Sequence, residues 1–246
     1  MFRCAVLVAA SLVGLVFAAA PGAAVVGGDA AVAADYPWLA AVGSPAFVVR
    51  PGGHFCGGVL ITPDKVLTAA HCVSLEEPVP FAIDVTFGRT DLRESTGNTV
   101  SVSSIRIHPD FGELDAAGDT AYHNDLALLT LDHPVAGPVL QIAAAHGDSA
   151  TVVGWGVTAP GDWSNSALHA ATVPLLPDSA CARAYGPAYD ARIMLCAGST
   201  PADTAEFDSG GPILVDGKAI GLTSWGRGSA QAGYPGVYTR LSTIDF

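Results

Sequence analysis

Positive charge is scarce in this chain of 246 residues: 11 Lys+Arg stand against 23 Asp+Glu, a formal net charge of −12. Phosphate binding needs a clustered excess of Lys and Arg, so the balance argues against a nucleic-acid partner. Charged residues of both signs reach only 14% while half the residues are apolar, a composition that excludes disorder. The length can bury one sizeable core or two modest ones. Long amphipathic helical patterns and fixed-period repeats are both missing. So is an apolar run of spanning length, because Cys4 to Ala20, behind Arg3, falls short of the ~20 residues of a transmembrane helix. Cysteine is sparse, five in all, and neither Cys-x-x-Cys nor His-x-x-x-His spacing accompanies it, which weakens a zinc reading.

What the first apolar run does fit is a secretory signal peptide over residues 1–24, with a basic start, an apolar middle and a small-residue exit at Gly22-Ala23-Ala24. An uncleaved anchor helix is the rival, and the length of the run argues against it. Cleavage after Ala24 removes Arg3 and Cys4 but no acid, leaving 10 basic against 23 acidic residues and a net charge of −13. The remaining cysteines, Cys56, Cys72, Cys181 and Cys196, then belong to an exported chain, where disulfides persist. Four cysteines admit three connectivities. Pairing Cys56 with Cys72 and Cys181 with Cys196 gives short loops that fit the order best, each worth roughly 3 kcal/mol by chain entropy.

After Val25, short apolar or alternating runs are cut by Gly, Pro, Asp and Ser. They include Gly58 to Ile61, Phe81 to Phe87, Thr99 to Ile107, Leu126 to Leu131, Ala150 to Gly154 and Ala219 to Trp225. Their Val, Ile and Thr content predicts an all-β sandwich or barrel. Pro134 and Pro138 flank the expected internal joint, which divides the mature chain into near-equal parts, 25–135 and 136–246.

Three segments carry chemistry. Leu67-Thr68-Ala69-Ala70-His71-Cys72 sets an imidazole beside a cysteine, and a disulfide there would fix the backbone of a general base; a structural histidine is the competing reading. Asn124-Asp125, ahead of Leu126-Ala127-Leu128-Leu129, puts a carboxylate at the mouth of an apolar strand. Loss of water obliges it to accept hydrogen bonds, for instance from a histidine N–H, although an Asx turn accounts for the same residues. Asp208-Ser209-Gly210-Gly211-Pro212 displays a serine on a glycine-rich turn, the setting of a nucleophile if a base reaches it, or of an ordinary polar turn.

Taken in order with Gly154-Trp155-Gly156, Ser224-Trp225-Gly226 and Pro235-Gly236-Val237-Tyr238-Thr239-Arg240, these segments resemble the trypsin/chymotrypsin family of serine endopeptidases over nearly all of Val25 to Arg240. The resemblance implies two packed six-stranded antiparallel β-barrels with the active cleft between them. It also implies a C-terminal helix; with the sequence ending at Phe246, either most of that helix has been lost or the sequence is incomplete. Ser209 becomes the nucleophile, His71 the base that takes and returns its proton, and Asp125 the carboxylate that orients His71, through an acyl-enzyme that water hydrolyses. Ser224, Trp225 and Gly226 would pair with the substrate backbone. Asp203 holds the place of the acid at the base of the primary pocket in trypsins, and Gly226 and Gly236 match the two wall glycines, so polypeptide cleavage after Arg or Lys is expected. Val25-Val26-Gly27-Gly28 matches the mature N-terminus, whose ammonium would pair with Asp208. Ala24, not a basic residue, precedes it, so signal peptidase itself is expected to free Val25. The expectation is a secreted monomer, similar to bacterial members of the family, with no cofactor, no metal and no lasting membrane anchor.

The chain departs from the family at several places. Phe207 stands where relatives have the Gly whose N–H makes the oxyanion hole with that of Ser209. A bulky residue in a Gly-type conformation costs about 1 to 3 kcal/mol, and a lost donor about 2.7 to 4 kcal/mol in the transition state. A catalytically silent homologue that uses its cleft for binding or as a decoy is therefore the alternative. Glu206 would bias the cleft against acidic substrate residues. Ala205 and Ser229 replace the disulfide that braces the pocket in relatives, which implies looser walls. The Phe87 to Thr99 segment supplies too few well-spaced acids for a calcium site.

Overall fold

A computed structural model of the chain describes residues 25–116, 118–159 and 161–243; the expected leader, residues 1–24, lies outside them. Strands follow one another as β1 (Asp29–Ala30), β2 (Leu39–Gly43), β3 (His54–Thr62), β4 (Lys65–Thr68), β5 (Asp84–Phe87), β6 (Asn98–Ile107), β7 (Gly112–Ala116), β8 (Asp119–His123) and β9 (Ala127–Leu131). The second half continues with β10 (Ser149–Gly154), β11 (His169–Leu176), helix α1 (Asp178–Tyr185), β12 (Met194–Ala197), β13 (Pro212–Val215), β14 (Lys218–Trp225) and β15 (Gly236–Arg240).

Strand β6 shows how the pattern becomes register. Val100 and Val102 are buried with Ser101 exposed between them; a bulge against β9 then shifts the alternation and hands the inward face to Ile105. The run expected from Phe81 becomes strand only at Asp84, because Pro80 opens a 3₁₀ turn over Pro80–Ala82.

Strands β2-β3-β4-β9-β6-β5 close into one antiparallel barrel filled by Val42, Leu60, Val66, Val85 and Leu129. Strands β11-β10-β13-β14-β15-β12 form the second, closed by pairing of β11 with β12 and extended by β1 along β11. Val152, Val173, Leu195, Ile213 and Tyr238 fill it, and Val25 joins that core. A further cluster, containing Leu39, Leu126, Trp155, Leu168 and Leu222, draws on both barrels and fixes one against the other. The architecture is the expected pair of six-stranded antiparallel barrels.

Both expected disulfides form: Cys56 on β3 to Cys72, and Cys181 on α1 to Cys196 on β12. Cys56 and Cys72 lie beside His71, but their sulfurs are consumed in the bridge, which leaves the zinc reading without thiolates. A 3₁₀ turn, Leu241–Thr243, follows β15. Among the described residues no helix is long and apolar enough to cross a membrane.

Candidate active site

Thr68 ends β4, and the buried Ala69 and Ala70 lead into a 3₁₀ turn, Ala70–Cys72, that carries His71. The Cys56 bridge ties this turn to β3. Asp125 follows β8 after Asn124, whose φ of +48° bends the chain, and it is only 1% exposed. Its carboxylate accepts three hydrogen bonds: Oδ1 from the His71 backbone N–H at 2.9 Å, Oδ2 from His71 Nδ1 at 2.7 Å, and Oδ2 from the Ser224 hydroxyl at 2.5 Å. These bonds satisfy the buried carboxylate and fix both the tilt and the tautomer of the imidazole. Nε2, on the far edge of the ring, lies 3.7 Å from Cys72 Sγ. His71 and Ser209 line one cleft of about 470 Å³, together with Phe47 and Phe55.

Ser209 sits on the turn that enters β13, and its carbonyl accepts the Gly57 N–H at 2.7 Å, pinning the turn of the second barrel to the first. Gly210 makes this approach possible. Its φ is +77°, and a Cβ there would strike the Thr68 hydroxyl and the Gly57 carbonyl.

Phe207, two residues earlier, has φ +72°, the left-handed conformation that suits the glycine of relatives. The Glu206 carbonyl accepts the Val157 N–H at 3.0 Å. Carbonyl and N–H point to opposite sides of one trans peptide, so the Phe207 N–H faces away from Val157.

Beside Ser209 a second cavity of about 270 Å³ is lined by Thr204, Ala205, Glu206, Ser224, Trp225, Gly226, Ser229 and Gly236, among others. Ala205 and Ser229 both face it, unbridged. Asp203, 1% exposed, lies directly behind this wall, where a Cβ on Gly236 would stand 2.7 Å from its Oδ1. The glycine thus does more than widen the opening, since it lets the carboxylate press against the cavity lining. Asp203 accepts N–H groups of Thr204 at 2.9 Å and Ala230 at 3.3 Å, but burial outweighs them and pushes its pKa up to about 7.

Asp208, 2% exposed, accepts the Gly156 N–H at 2.8 Å and the Ala205 N–H at 3.0 Å. Burial lifts its pKa to about 7, against the pull of those bonds and of the Arg50 charge. Val25 is fully buried, with Val26 paired to Asp203, so the segment that would bear the new terminus already lies along the second barrel.

Three features of the cleft are not signalled by the sequence motifs. Tyr122 stacks on His71, with ring centroids 4.5 Å apart and planes 9° from parallel. It arrives on the β7–β8 hairpin, whose polar sequence lacks a strand signature, and Asp119 of that hairpin is ion-paired to Arg227 at 2.5 Å. The third is Arg50, buried beneath Phe207 with its guanidinium carbon 4.3 Å from the ring centroid. An Arg ahead of Pro51-Gly52-Gly53 reads as a surface turn.

Compared with descriptions of known families, residues 25–245 match that of Trypsin. A trypsin of Saccharopolyspora erythraea is 39% identical over 225 residues, 88% of this chain and 93% of that protein. A vitellin-degrading protease of Bombyx mori is 34% identical over 89% of this chain and 82% of its own length. Trypsin V-A of Rattus norvegicus is 34% identical over 78% of each chain.

Proposed function

We propose, from the premise that the chain belongs to the trypsin family of serine endopeptidases, that it is a secreted enzyme cleaving polypeptides after Arg or Lys through an acyl-enzyme on Ser209. One observation carries the reading: the buried Asp125 carboxylate holds His71 by its backbone N–H and by Nδ1, while His71 and Ser209 share a cleft. Ser209 Oγ attacks the scissile carbonyl carbon as His71 Nε2 takes its proton. The negative oxygen that forms is met by the N–H groups of Ser209 and Phe207, and His71 returns the proton to the leaving amine. Water then attacks the ester by the same route, which restores Ser209. Throughout, Asp125 stabilises the imidazolium and Ser224 keeps Asp125 in place.

Preference for a cationic side chain rests on Asp203. A guanidinium or ammonium in the cavity would neutralise the buried carboxylate, whereas an apolar side chain would leave it unpaired. Ser224 to Gly226, at the end of β14, offers backbone groups for an extended substrate. Release of Val25 by signal peptidase would supply Asp208 with an ammonium partner.

Labelling with a fluorophosphonate probe tests the reading, with Ser209→Ala as control. Protein that begins at Val25 and labels only when Ser209 is present is the expected result. Correctly processed protein that does not label would sink the proposal and leave a silent homologue.

A further inference from the structure

We propose that Arg50 is a positioning residue for the oxyanion hole: its guanidinium clamps the Phe207 ring and so holds the Glu206–Phe207 peptide with its N–H turned to the cleft. The proposal rests on the reading of Ser209 as nucleophile and of the Phe207 N–H as one of the two donors.

Arg50 is 3% exposed, and its hydrogen bonds go to uncharged acceptors: Nη1 donates to Trp163 O at 2.9 Å, and Nη2 to Trp155 O at 2.7 Å and to His54 Nδ1 at 3.5 Å. Its Nε, also buried, has no hydrogen-bond partner among the described residues. Asp208 and Asp162 act on this charge only through space, and burial outweighs them, so the guanidinium is costly to bury. What the site does provide is an aromatic face, the Phe207 ring 4.3 Å away, for which a flat and weakly hydrated cation is suited. Trp163 sets its edge against the same ring at 5.2 Å and 86°, and its Nε1 donates to Glu206 Oε2 at 2.9 Å. Phe47 approaches at 6.5 Å. The box thus grips both residues of the peptide in question. It is drawn from two loops distant in sequence, and the Arg50 bond to the Trp163 carbonyl joins them.

The consequence follows from backbone sterics. Phe is disfavoured at φ +72°, so an ungripped Phe207 relaxes toward negative φ. That rotation carries the Glu206 carbonyl toward the cleft and the N–H out of it, which replaces a donor by an acceptor where the negative oxygen must form. Arg50 also acts on the charge of buried Asp208, and a test must separate the two effects.

Steady-state kinetics of the processed enzyme on a peptide amide separates them. Arg50→Met is expected to lower kcat by about 10- to 100-fold, below the ~100- to 1000-fold of a fully lost oxyanion donor because the flip is partial, with KM moving less than about threefold. Phe207→Leu, at a partly exposed position where folding is not at stake, is expected to lose a similar factor. In the Phe207→Gly background, adding Arg50→Met should change kcat by less than about threefold, because glycine needs no clamp. Arg50→Lys, which keeps the charge near Asp208 but not the flat stacking face, should fall with Arg50→Met. Equal losses from Arg50→Met in the Phe207 and Phe207→Gly backgrounds, or full activity in Arg50→Lys or Phe207→Leu, would overturn the proposal. An unmodified enzyme that neither turns over substrate nor labels at Ser209 would remove the nucleophile reading itself, and the clamp with it, a result distinct from an active enzyme indifferent to Arg50.

Discussion

Titrating Asp203 with two substrates that differ only in the residue before the scissile bond, one Arg and one Leu, isolates the basis of the proposed specificity. Burial lifts this carboxylate to about 7 from its ordinary 3.8, despite the Thr204 and Ala230 N–H groups it accepts. In the free enzyme it is then ionised in about 90% of molecules at pH 8 and about 1% at pH 5. Only the ionised form compensates a guanidinium, so each pH unit below about 7 weakens the cationic substrate roughly tenfold, ~1.4 kcal/mol, and leaves the neutral one untouched. His71 serves both substrates alike and cancels in the ratio of their kcat/KM values. That ratio should rise about 50- to 100-fold from pH 5 to pH 8 and then level off. In Asp203→Asn, which keeps shape but not charge, it should be low and flat. The assay needs two fluorogenic peptides and buffers from about pH 5 to 9, the span around that pKa. A wild-type ratio constant between those limits, or the same slope in the Asn variant, would refute the assignment of specificity to this carboxylate.

The same burial fixes a sign for stability. A folded-state pKa near 7 for Asp203 and Asp208, above the ordinary 3.8, means that the folded chain holds protons that the unfolded chain releases. Their contribution is complete below about pH 4 and is lost as the pH rises through about 7, so Asp203→Asn should gain in Tm relative to wild type between pH 5 and pH 8; a relative Tm that stays level or falls contradicts this. Ser224→Ala removes a 2.5 Å bond to the buried Asp125 carboxylate, worth about 1.5 to 3 kcal/mol for a charged acceptor. It should cut kcat/KM by about tenfold or more, and a change under about twofold would deny Ser224 any part in orienting His71. Gly210→Ala meets the Thr68 hydroxyl and the Gly57 carbonyl at φ +77°, whereas Gly217→Ala at φ +70° meets nothing within 4 Å. The second should cost only the backbone strain, about 1 kcal/mol, and the first clearly more in thermal melts; equal losses would mean that the barrels tolerate separation at Ser209.

Most of the fold was legible because strand and turn signals are local. Alternating Val and Ser in β6 and the glycines around Ser209 each act on their own few residues. His71, Asp125 and Ser209 were legible for the same reason, each marked by the short segment that presents it. Contacts between loops left no such mark. Arg50 precedes Pro51-Gly52-Gly53 and looks like a solvated turn, yet it is buried by Trp155, Trp163 and Phe207, more than 100 positions away in sequence. Tyr122 gave no sign either, since its stacking on His71 depends on a hairpin of polar and small residues that only the assembled cleft can hold. The state of the Phe207 peptide was open in the sequence because the cost of strain and the cost of a lost donor overlap. The tertiary bond that bears on it, from the Val157 N–H to the Glu206 carbonyl, joins segments far apart in sequence.

Phe207 can occupy a glycine's conformation because its surroundings return what the backbone loses. Left-handed strain in a bulky residue amounts to about 1 to 3 kcal/mol. A guanidinium over the ring contributes about 0.5 to 2 kcal/mol, the upper end when both are out of water, as the 3% exposure of Arg50 indicates. The perpendicular Trp163 adds about 0.5 to 1.5 kcal/mol. Gain and strain are of one size, so neither contact is dispensable. On its other side, the backbone is held by Asp208, whose carboxylate gathers the N–H groups of Gly156 and Ala205. The ring clamp and the carboxylate anchor act on adjacent residues, and a shift in either moves the same peptide. A glycine at this position would need only the anchor; phenylalanine makes the geometry of the hole depend on the loops that supply Arg50 and Trp163 as well.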